Sequence, residues 1–176
     1  VFPSDDETKR FLISQDRESD WTELVADPEA TYDEYAEMNL DDLVPLIALP
    51  TSPGNVVPVS EVAGKTIGQV VIGSSANPGL RDSWIAGAIV KAKTINSAVS
   101  FDVNPTSRQT IQNMLKNFTF ANLITAGARF HQSGCMGCIG MGQAPATGTI
   151  SLRTMPRNFP SRSGTEDDQV HLCSPE

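Results

Sequence analysis

The chain has 176 residues, 39% of them hydrophobic, which is enough for one domain, or one domain with an arm, around a modest core. No run of about 18 apolar residues is present, which argues against a membrane-spanning helix. The start at Val1 lacks the basic and then apolar segments of a signal peptide, and it lacks a methionine, so we expect a piece of something longer. Three cysteines do not form a secreted disulfide framework and favour a reducing compartment.

The net charge of −8 conceals an uneven distribution along the chain. Residues 1–62 contain fifteen acidic and three basic residues, whereas residues 63–165 contain ten basic residues and only two acidic ones, Asp82 and Asp102. This division predicts an acidic arm beside a basic domain. The basic part could face an anionic small molecule, or it could simply pack against the arm. It permits nucleic-acid binding without arguing for it.

We interpret residues 1–62 as an N-terminal arm and linker. Ser4-Asp5-Asp6-Glu7 has the pattern of a capping box with acids in the first turn, and it predicts a short helix. Residues 32–38 alternate loosely and could form a strand. An apolar stretch at 43–49 is interrupted by proline. Residues 51–58 are rich in Pro, Ser and Gly, which indicates a linker.

The domain that follows, residues 63–176, alternates strand and helix patterns. Strands are predicted at 67–73, 99–103, within 122–130, at 150–154 and at 169–173, and helices at 80–93 and after Ser107. The first helix would place Trp84, Ile85, Ala88, Ile89 and Ala92 on one face. This alternation predicts an α/β fold with three layers (α/β/α) and a mostly parallel sheet. Ligands in such folds gather at the carboxyl ends of the strands.

Cys135 and Cys138 lie three residues apart in a glycine-rich loop, where both thiols can point at one metal or cluster. The pair could be a redox dithiol, half of a zinc site, part of an iron–sulfur site, or two idle thiols. A glycine-rich run is a poor start for a helix, which argues against the dithiol. Zinc would need further ligands such as His131, with Cys173 or His171 as the fourth.

Two other loops carry candidate ligand-binding groups. The turn Gly73-Ser74-Ser75-Ala76-Asn77 offers hydroxyls, an amide and backbone N–H groups to an anion or a polar cofactor edge, although the same residues favour a turn that caps the next helix. Arg157 and Arg162 lie five residues apart in a loop interrupted by proline. Their guanidinium groups could bind carboxylates through paired hydrogen bonds, or they could form a solvated basic loop.

Taken in order, these three loops resemble the third domain of aconitases and related isopropylmalate isomerases. The family pattern is Gly-Ser-Cys-Thr-Asn, then Cys-x-x-Cys-Ile-Gly, then Asn-Arg-Asn-Phe with a second arginine five residues after the first. Here the loops read Gly73-Ser74-Ser75-Ala76-Asn77, Cys135-Met136-Gly137-Cys138-Ile139-Gly140 and Pro156-Arg157-Asn158-Phe159-Pro160-Ser161-Arg162. The arm and the ending Ser174-Pro175-Glu176 are similar to the family too, so the resemblance covers essentially the whole chain.

The resemblance implies the third α/β domain, with its preceding arm, of a large hydro-lyase that dehydrates and rehydrates di- or tricarboxylic acids. Three cysteines of the family hold a [4Fe–4S] cluster whose open iron is a Lewis acid. By resemblance, the residues at matching positions are Arg157, Arg162, Ser74 and Asn77 for substrate, and Cys135, Cys138 and Ser75 for the metal. No catalytic residue falls in this chain, because the base serine belongs to another domain, so the fragment alone should not catalyse.

Three departures from the family pattern fall at one site: Ser75 replaces the first cluster cysteine, Ala76 a threonine and Pro156 an asparagine. Neutral serine competes poorly with thiolate for soft metals. We therefore expect the conventional cluster to be lost or altered while the carboxylate-binding arginines remain.

Two hypotheses stay open. The chain could belong to a hydro-lyase with a modified cluster or another metal. It could instead belong to a cluster-free relative that binds carboxylates, or regulates, without aconitase turnover. The expected partners are the remaining domains of its own full-length chain and a small polycarboxylate, without a membrane or nucleic acid. The expected location is the cytoplasm, or the mitochondrial matrix of a eukaryote.

Overall fold

The computed structural model describes residues 2–176, and the chain divides into two compact units. The first unit ends at Leu43 and the second is Val44–Glu176. The sequence pattern placed the boundary after residue 62 instead. The difference arises because residues 44–62 contain two short strands, β1 (Leu46–Ala48) and β2 (Val56–Pro58), that pair with each other and join the sheet of the second unit.

The first unit contains the predicted short helix, α1 (Asp6–Ser14). The carboxylate of Asp5 accepts a hydrogen bond from the Thr8 amide at 2.9 Å, so Asp5 rather than Ser4 caps the helix. The Ser4 hydroxyl instead accepts from the Leu24 amide at 2.9 Å. Short 3-10 helices follow at Glu18–Asp20 and Leu40–Asp42.

The strand predicted over residues 32–38 is wrong, because these described residues form no strand. Tyr32, Tyr35 and Met38 are exposed, and the segment has no neighbouring strand to complete its backbone hydrogen bonds. The loose alternation in its sequence therefore has no structural counterpart.

Seven strands within residues 2–176 form one sheet in the order β2-β1-β7-β6-β3-β4-β5. The strands that follow β2 are β3 (Ile67–Gly73), β4 (Ser100–Asn104), β5 (Arg129–Phe130), β6 (Ile150–Arg153) and β7 (Gln169–Leu172). Strands β3 to β7 run parallel to one another, whereas β1 pairs antiparallel with both β2 and β7. The predicted α/β fold with a mostly parallel sheet is confirmed. The predicted linker at 51–58 is corrected, since its last residues form β2.

Helices α2 (Leu80–Ile89), α3 (Arg108–Lys116) and α4 (Thr119–Ala126) pack against one another and against one face of the sheet. The core between them contains Ile72, Ala86, Phe101, Val103, Met114 and Leu123. Helix α4 occupies a region where the sequence predicted a turn and a strand, of which only the short β5 is present. None of the helices in residues 2–176 is both long and apolar enough to span a bilayer.

The face of α2 that is buried differs from the apolar face in the sequence. Ser83, Ala86 and Gly87 are buried, whereas Trp84 is 54% exposed and Ile89 is 45% exposed. Close approach of α4 explains the difference, because a Cβ on Gly87 would lie 3.0 Å from the Thr119 methyl group. Only small side chains fit at this helix contact.

The opposite face of the sheet is covered by a loop rather than by helices. This cysteine loop, residues 131–149, connects β5 to β6 and includes a 3-10 helix at Gly137–Ile139. Cys138 packs on Val71 and Met155 in a small apolar cluster. Beside that cluster the same face carries polar side chains, namely Gln69, Asp102, Ser151 and Arg153, which are all buried. The loop therefore forms the third layer of the domain.

Candidate functional site

Three loops follow the carboxyl ends of parallel strands. They are the serine loop (residues 74–79) after β3, the cysteine loop after β5, and the arginine loop (residues 154–168) after β6. Since the carboxyl ends of parallel strands lie at one edge of a sheet, loops distant in sequence can meet there. Hydrogen bonds and close contacts join the cysteine loop to each of the other two, as described below.

The serine loop is an internally bonded turn. Ser74 is buried, its backbone amide donates to the carbonyl of Asn77, and its hydroxyl accepts from the Ala76 amide at 3.3 Å. The carboxylate of Asp82 accepts from the Gly79 amide at 2.9 Å and caps α2. Ser75 is exposed. Asn77 is half-buried, and its Oδ1 is shielded from solvent without a hydrogen-bond partner in residues 2–176.

The two thiols of the cysteine loop have different surroundings. Cys135 is exposed, and Cys138 is buried with its Sγ donating to the Cys135 carbonyl oxygen at 2.8 Å. Hydrogen bonds from Cys138 and from Ser75 hold the pKa of the Cys135 thiol below its ordinary value. Burial, together with the neighbouring Cys135, raises the pKa of Cys138. The structure thus brings Ser75, Cys135 and Cys138 together.

The arginine loop lies against the cysteine loop. Arg162 Nη2 is 3.8 Å from Cys138 Sγ, and Arg162 Nε is shielded from solvent without a partner in the described chain. A Cβ on Gly140, whose φ is 79°, would overlap the carbonyl oxygen of Ser163, so the two loops touch through their backbones. Arg157 is exposed. Its neighbour Asn158 anchors the loop by donating to the carbonyl oxygen of Leu49 at 2.8 Å and to that of Val170 at 3.1 Å.

Arg153, the last residue of β6, is a buried residue of the site that sequence reasoning missed. Its side chain is fully buried, and burial lowers its pKa to about 10. Its Nη1 donates to the carbonyl oxygen of Gly137 at 3.2 Å, and its Nη2 donates to that of Gln143 at 2.9 Å. The alternation of β6 could have indicated an inward-facing residue at this position, but nothing in the sequence identifies its acceptors.

A second polar cluster lies beside the cysteine loop. The carboxylate of Asp102 is fully buried and accepts from Arg129 Nε at 2.6 Å, lies 2.9 Å from His131 Nε2, and accepts from the Ser100 hydroxyl at 2.7 Å. Burial opposes ionisation, but these three hydrogen bonds outweigh it and hold the pKa of Asp102 below its ordinary value. Arg129 Nη2 also donates to the carbonyl oxygen of Gly142 at 3.3 Å.

Comparison with known proteins identifies the family. Residues 1–69 and 60–176 match the sequence model of the Aconitase family (aconitate hydratase). This chain belongs to the aconitase family. The resemblance inferred from the three loops is therefore confirmed.

Aconitase-family relatives match nearly the whole chain. It is 34% identical to 3-isopropylmalate dehydratase large subunit 2 of Archaeoglobus fulgidus over 99% of the chain and 42% of the relative. It is 41% identical to the 3-isopropylmalate dehydratase large subunit of Sulfurihydrogenibium over 85% of the chain and 35% of the relative. It is 32% identical to the homoaconitase large subunit of Thermus thermophilus over 93% of the chain and 39% of the relative. The chain thus spans less than half the length of these relatives.

The donors at this aconitase-family site are two thiols and one hydroxyl. The family's [4Fe–4S] cluster uses three cysteines, so the set in this chain is one thiolate short. Within residues 2–176, no three His, Cys, Asp or Glu side chains are grouped closely enough to hold a metal ion. In the described residues, Cys173, His131 and His171 are thus not grouped with Cys135 and Cys138.

Proposed function

We propose that the chain is part of an aconitase-like hydro-lyase and binds a di- or tricarboxylic acid at the arginine loop. The observation that carries the proposal is the position of Arg162, whose Nη2 lies against Cys138 Sγ while its shielded Nε has no partner in residues 2–176. Arginine binds carboxylates through two parallel hydrogen bonds. A buried guanidinium N–H that lacks an acceptor is therefore suited to a ligand carboxylate.

Two further residues support a polycarboxylate rather than a monocarboxylate. Arg157 is exposed in the same loop, and neither it nor Arg162 forms an ion pair within the described residues. Two free guanidinium groups can neutralise two carboxylates. The unpartnered Asn77 Oδ1 could accept a hydrogen bond from a ligand hydroxyl. The hydroxyl of Ser74 holds its own turn, so we assign it the role of orienting the serine loop.

We further propose that the cluster position in this chain is degenerate. Ser75 supplies a hydroxyl where the family has a thiolate, and Cys138 Sγ is directed at the Cys135 carbonyl oxygen. These residues do not fit a conventional three-cysteine cluster. The same observations favour the second candidate function, a cluster-free relative that binds carboxylates or regulates without aconitase turnover.

The proposed partners are the remaining parts of the whole protein, which would supply the catalytic groups absent here, and the polycarboxylate itself. Because the relatives are named large subunits, a separate small subunit is a further candidate partner. We propose a location in the cytoplasm or the mitochondrial matrix, where thiols remain reduced.

The binding proposal is tested by calorimetric titration of the whole protein with citrate and with 3-isopropylmalate. We expect Arg162→Lys and Arg157→Lys each to weaken binding by about tenfold or more, because a lysine cannot replace a paired guanidinium hydrogen bond. Arg81→Lys, an exposed change on α2, is the matched control and should leave the dissociation constant unchanged. Absence of binding, or equal affinity in all variants, would contradict the proposal.

The state of the cluster is tested by the iron and acid-labile sulfide content of the whole protein after anaerobic reconstitution, beside a Ser75→Cys variant. An empty wild-type protein with a filled variant would support the degenerate site. About four iron and four sulfide in the wild type would contradict it and favour a working hydro-lyase, in which Ser75 or an outside ligand completes the cluster.

A further inference from the structure

Arg153 is a buried cation whose guanidinium contacts no carboxylate of the described chain, although the more distant charges of Asp168 and Asp102 favour its charged form. Its guanidinium is fully buried, yet it forms no ion pair within residues 2–176. Burying a charge without a counter-charge in direct contact is costly unless its hydrogen-bonding groups are satisfied. An arginine at such a position therefore needs hydrogen-bond acceptors for the N–H groups of its guanidinium.

The acceptors of Arg153 are neutral, and they come from the sheet and from the cysteine loop. On the sheet, Nε donates to the Ser151 hydroxyl at 2.9 Å and Nη2 to Gln69 Oε1 at 2.8 Å. In the loop, the acceptors are the carbonyl oxygens of Gly137 at 3.2 Å and Gln143 at 2.9 Å. The planar guanidinium therefore links both ends of the segment 137–143 to strands β3 and β6.

This segment contains the contacts that define the candidate site. Gly137 immediately precedes Cys138, whose sulfur touches Arg162, and Gly140 touches the backbone of Ser163. A shift of the segment would move Cys138 and the backbone contact at Ser163 together. The position of Arg162 thus depends on the loop that Arg153 holds.

We propose that Arg153 is a positioning residue for the polycarboxylate site: it fixes the cysteine loop so that Cys138 and Gly140 hold Arg162 in its ligand-binding position. The effect of Arg153 on ligand affinity rests on the proposed function, whereas its effect on the cysteine loop does not. A lysine cannot reproduce it, because a single ammonium group cannot reach both loop carbonyls and Gln69 in the geometry of a guanidinium fork.

The test compares Arg153→Lys and Arg153→Met with the wild type in the whole protein, by hydrogen exchange of peptides covering residues 136–143 and by citrate titration. Ile72→Val is the control, because the side chain of Ile72 packs in the core on the helix side of the sheet and takes no part in holding Arg153. We expect exchange in residues 136–143 to become about tenfold faster or more in both Arg153 variants, with β3 and β7 little changed. Citrate affinity should fall by a similar factor, and the control should show neither effect.

Two results would overturn the proposal. One is a Lys variant whose loop exchanges as slowly as the wild type, since charge alone would then suffice. The other is an equal loss of protection across the loop and the sheet, which would indicate a general core role. If neither Arg153 variant folds, Gln69→Ala removes one acceptor of Arg153 and the bond from Gln69 Nε2 to the Gln143 carbonyl oxygen. Gln69→Ala should speed exchange in residues 136–143 by a smaller factor than the Arg153 variants do. Unchanged exchange in these residues would also refute the role of Arg153.

Failure of the proposed function gives a different result. A wild-type protein that binds no polycarboxylate would refute the carboxylate site, whereas faster exchange confined to residues 136–143 in the Lys variant would still support the positioning role.

Discussion

Gly140→Ala tests the contact between the cysteine and arginine loops. The backbone of Gly140 has φ 79°, a left-handed conformation that costs a residue with a Cβ roughly 1–2 kcal/mol. The added Cβ would also lie 2.5 Å from the carbonyl carbon of Ser163 and 3.0 Å from Gly164 Cα, which are backbone atoms. Overpacking of this kind costs about 1–3 kcal/mol. We expect a total destabilisation of about 2–5 kcal/mol.

Gly148→Ala is the matched control for this prediction. Gly148 has a similar φ of 72°, but nothing lies within 4 Å of the position that its Cβ would occupy. Gly148→Ala should therefore lower the free energy of unfolding only by the cost of the left-handed backbone, about 1–2 kcal/mol. The difference between the two variants therefore isolates the close approach of the loops. Urea denaturation followed by circular dichroism measures both free energies of unfolding. Equal destabilisation by the two substitutions would refute the reasoning.

Three further outcomes are expected. Iodoacetamide should modify Cys135 before Cys138, since Cys135 is exposed and its thiol has a lowered pKa. Mass spectrometry of the modified peptides gives the order, and earlier modification of Cys138 would contradict the expectation. The depressed pKa of Asp102 means that its stabilising contribution is present above about pH 4 and is lost as the pH falls through the folded-state pKa. Urea midpoints measured from pH 5 downward should therefore show that the difference in stability between the wild type and Asp102→Asn becomes smaller. A difference that stays constant would contradict this role of the Asp102 carboxylate. Asp5→Ala should destabilise α1 and speed its amide exchange, whereas Ser4→Ala should leave the exchange of α1 unchanged, because only Asp5 caps the helix.

The central strands could be predicted from the sequence because their environment is uniform. Residues 67–73 form a β-branched run that is covered on both faces, and the predicted strand coincides with β3. Helix α4 could not be predicted in this way. It begins directly after Phe118, which adopts φ 63°, and a phenylalanine gives no sequence signal for a left-handed turn between two helices.

The candidate site shows a similar division. The residues of the three loops were recognisable because glycine, cysteine and arginine occur there in an ordered pattern. Arg153 was missed because an arginine in a strand is ordinarily expected to face solvent. What reverses that expectation is a set of acceptors 16 residues away at Gly137 and 84 residues away at Gln69. Such acceptors become neighbours only after the sheet has formed.

The order in which these loops occur along the chain has a consequence for folding. Ser75, Cys135 and Arg162 follow three different strands, and the strands pair in an order that is not the sequence order. Parallel strands must wait for their connecting segments to close, so contacts of large sequence separation form slowly. The arginine loop can reach the other two only when β6 has paired with β3, so we expect its docking to be a late step of folding. During synthesis, the site would therefore be completed only after the arginine loop has left the ribosome.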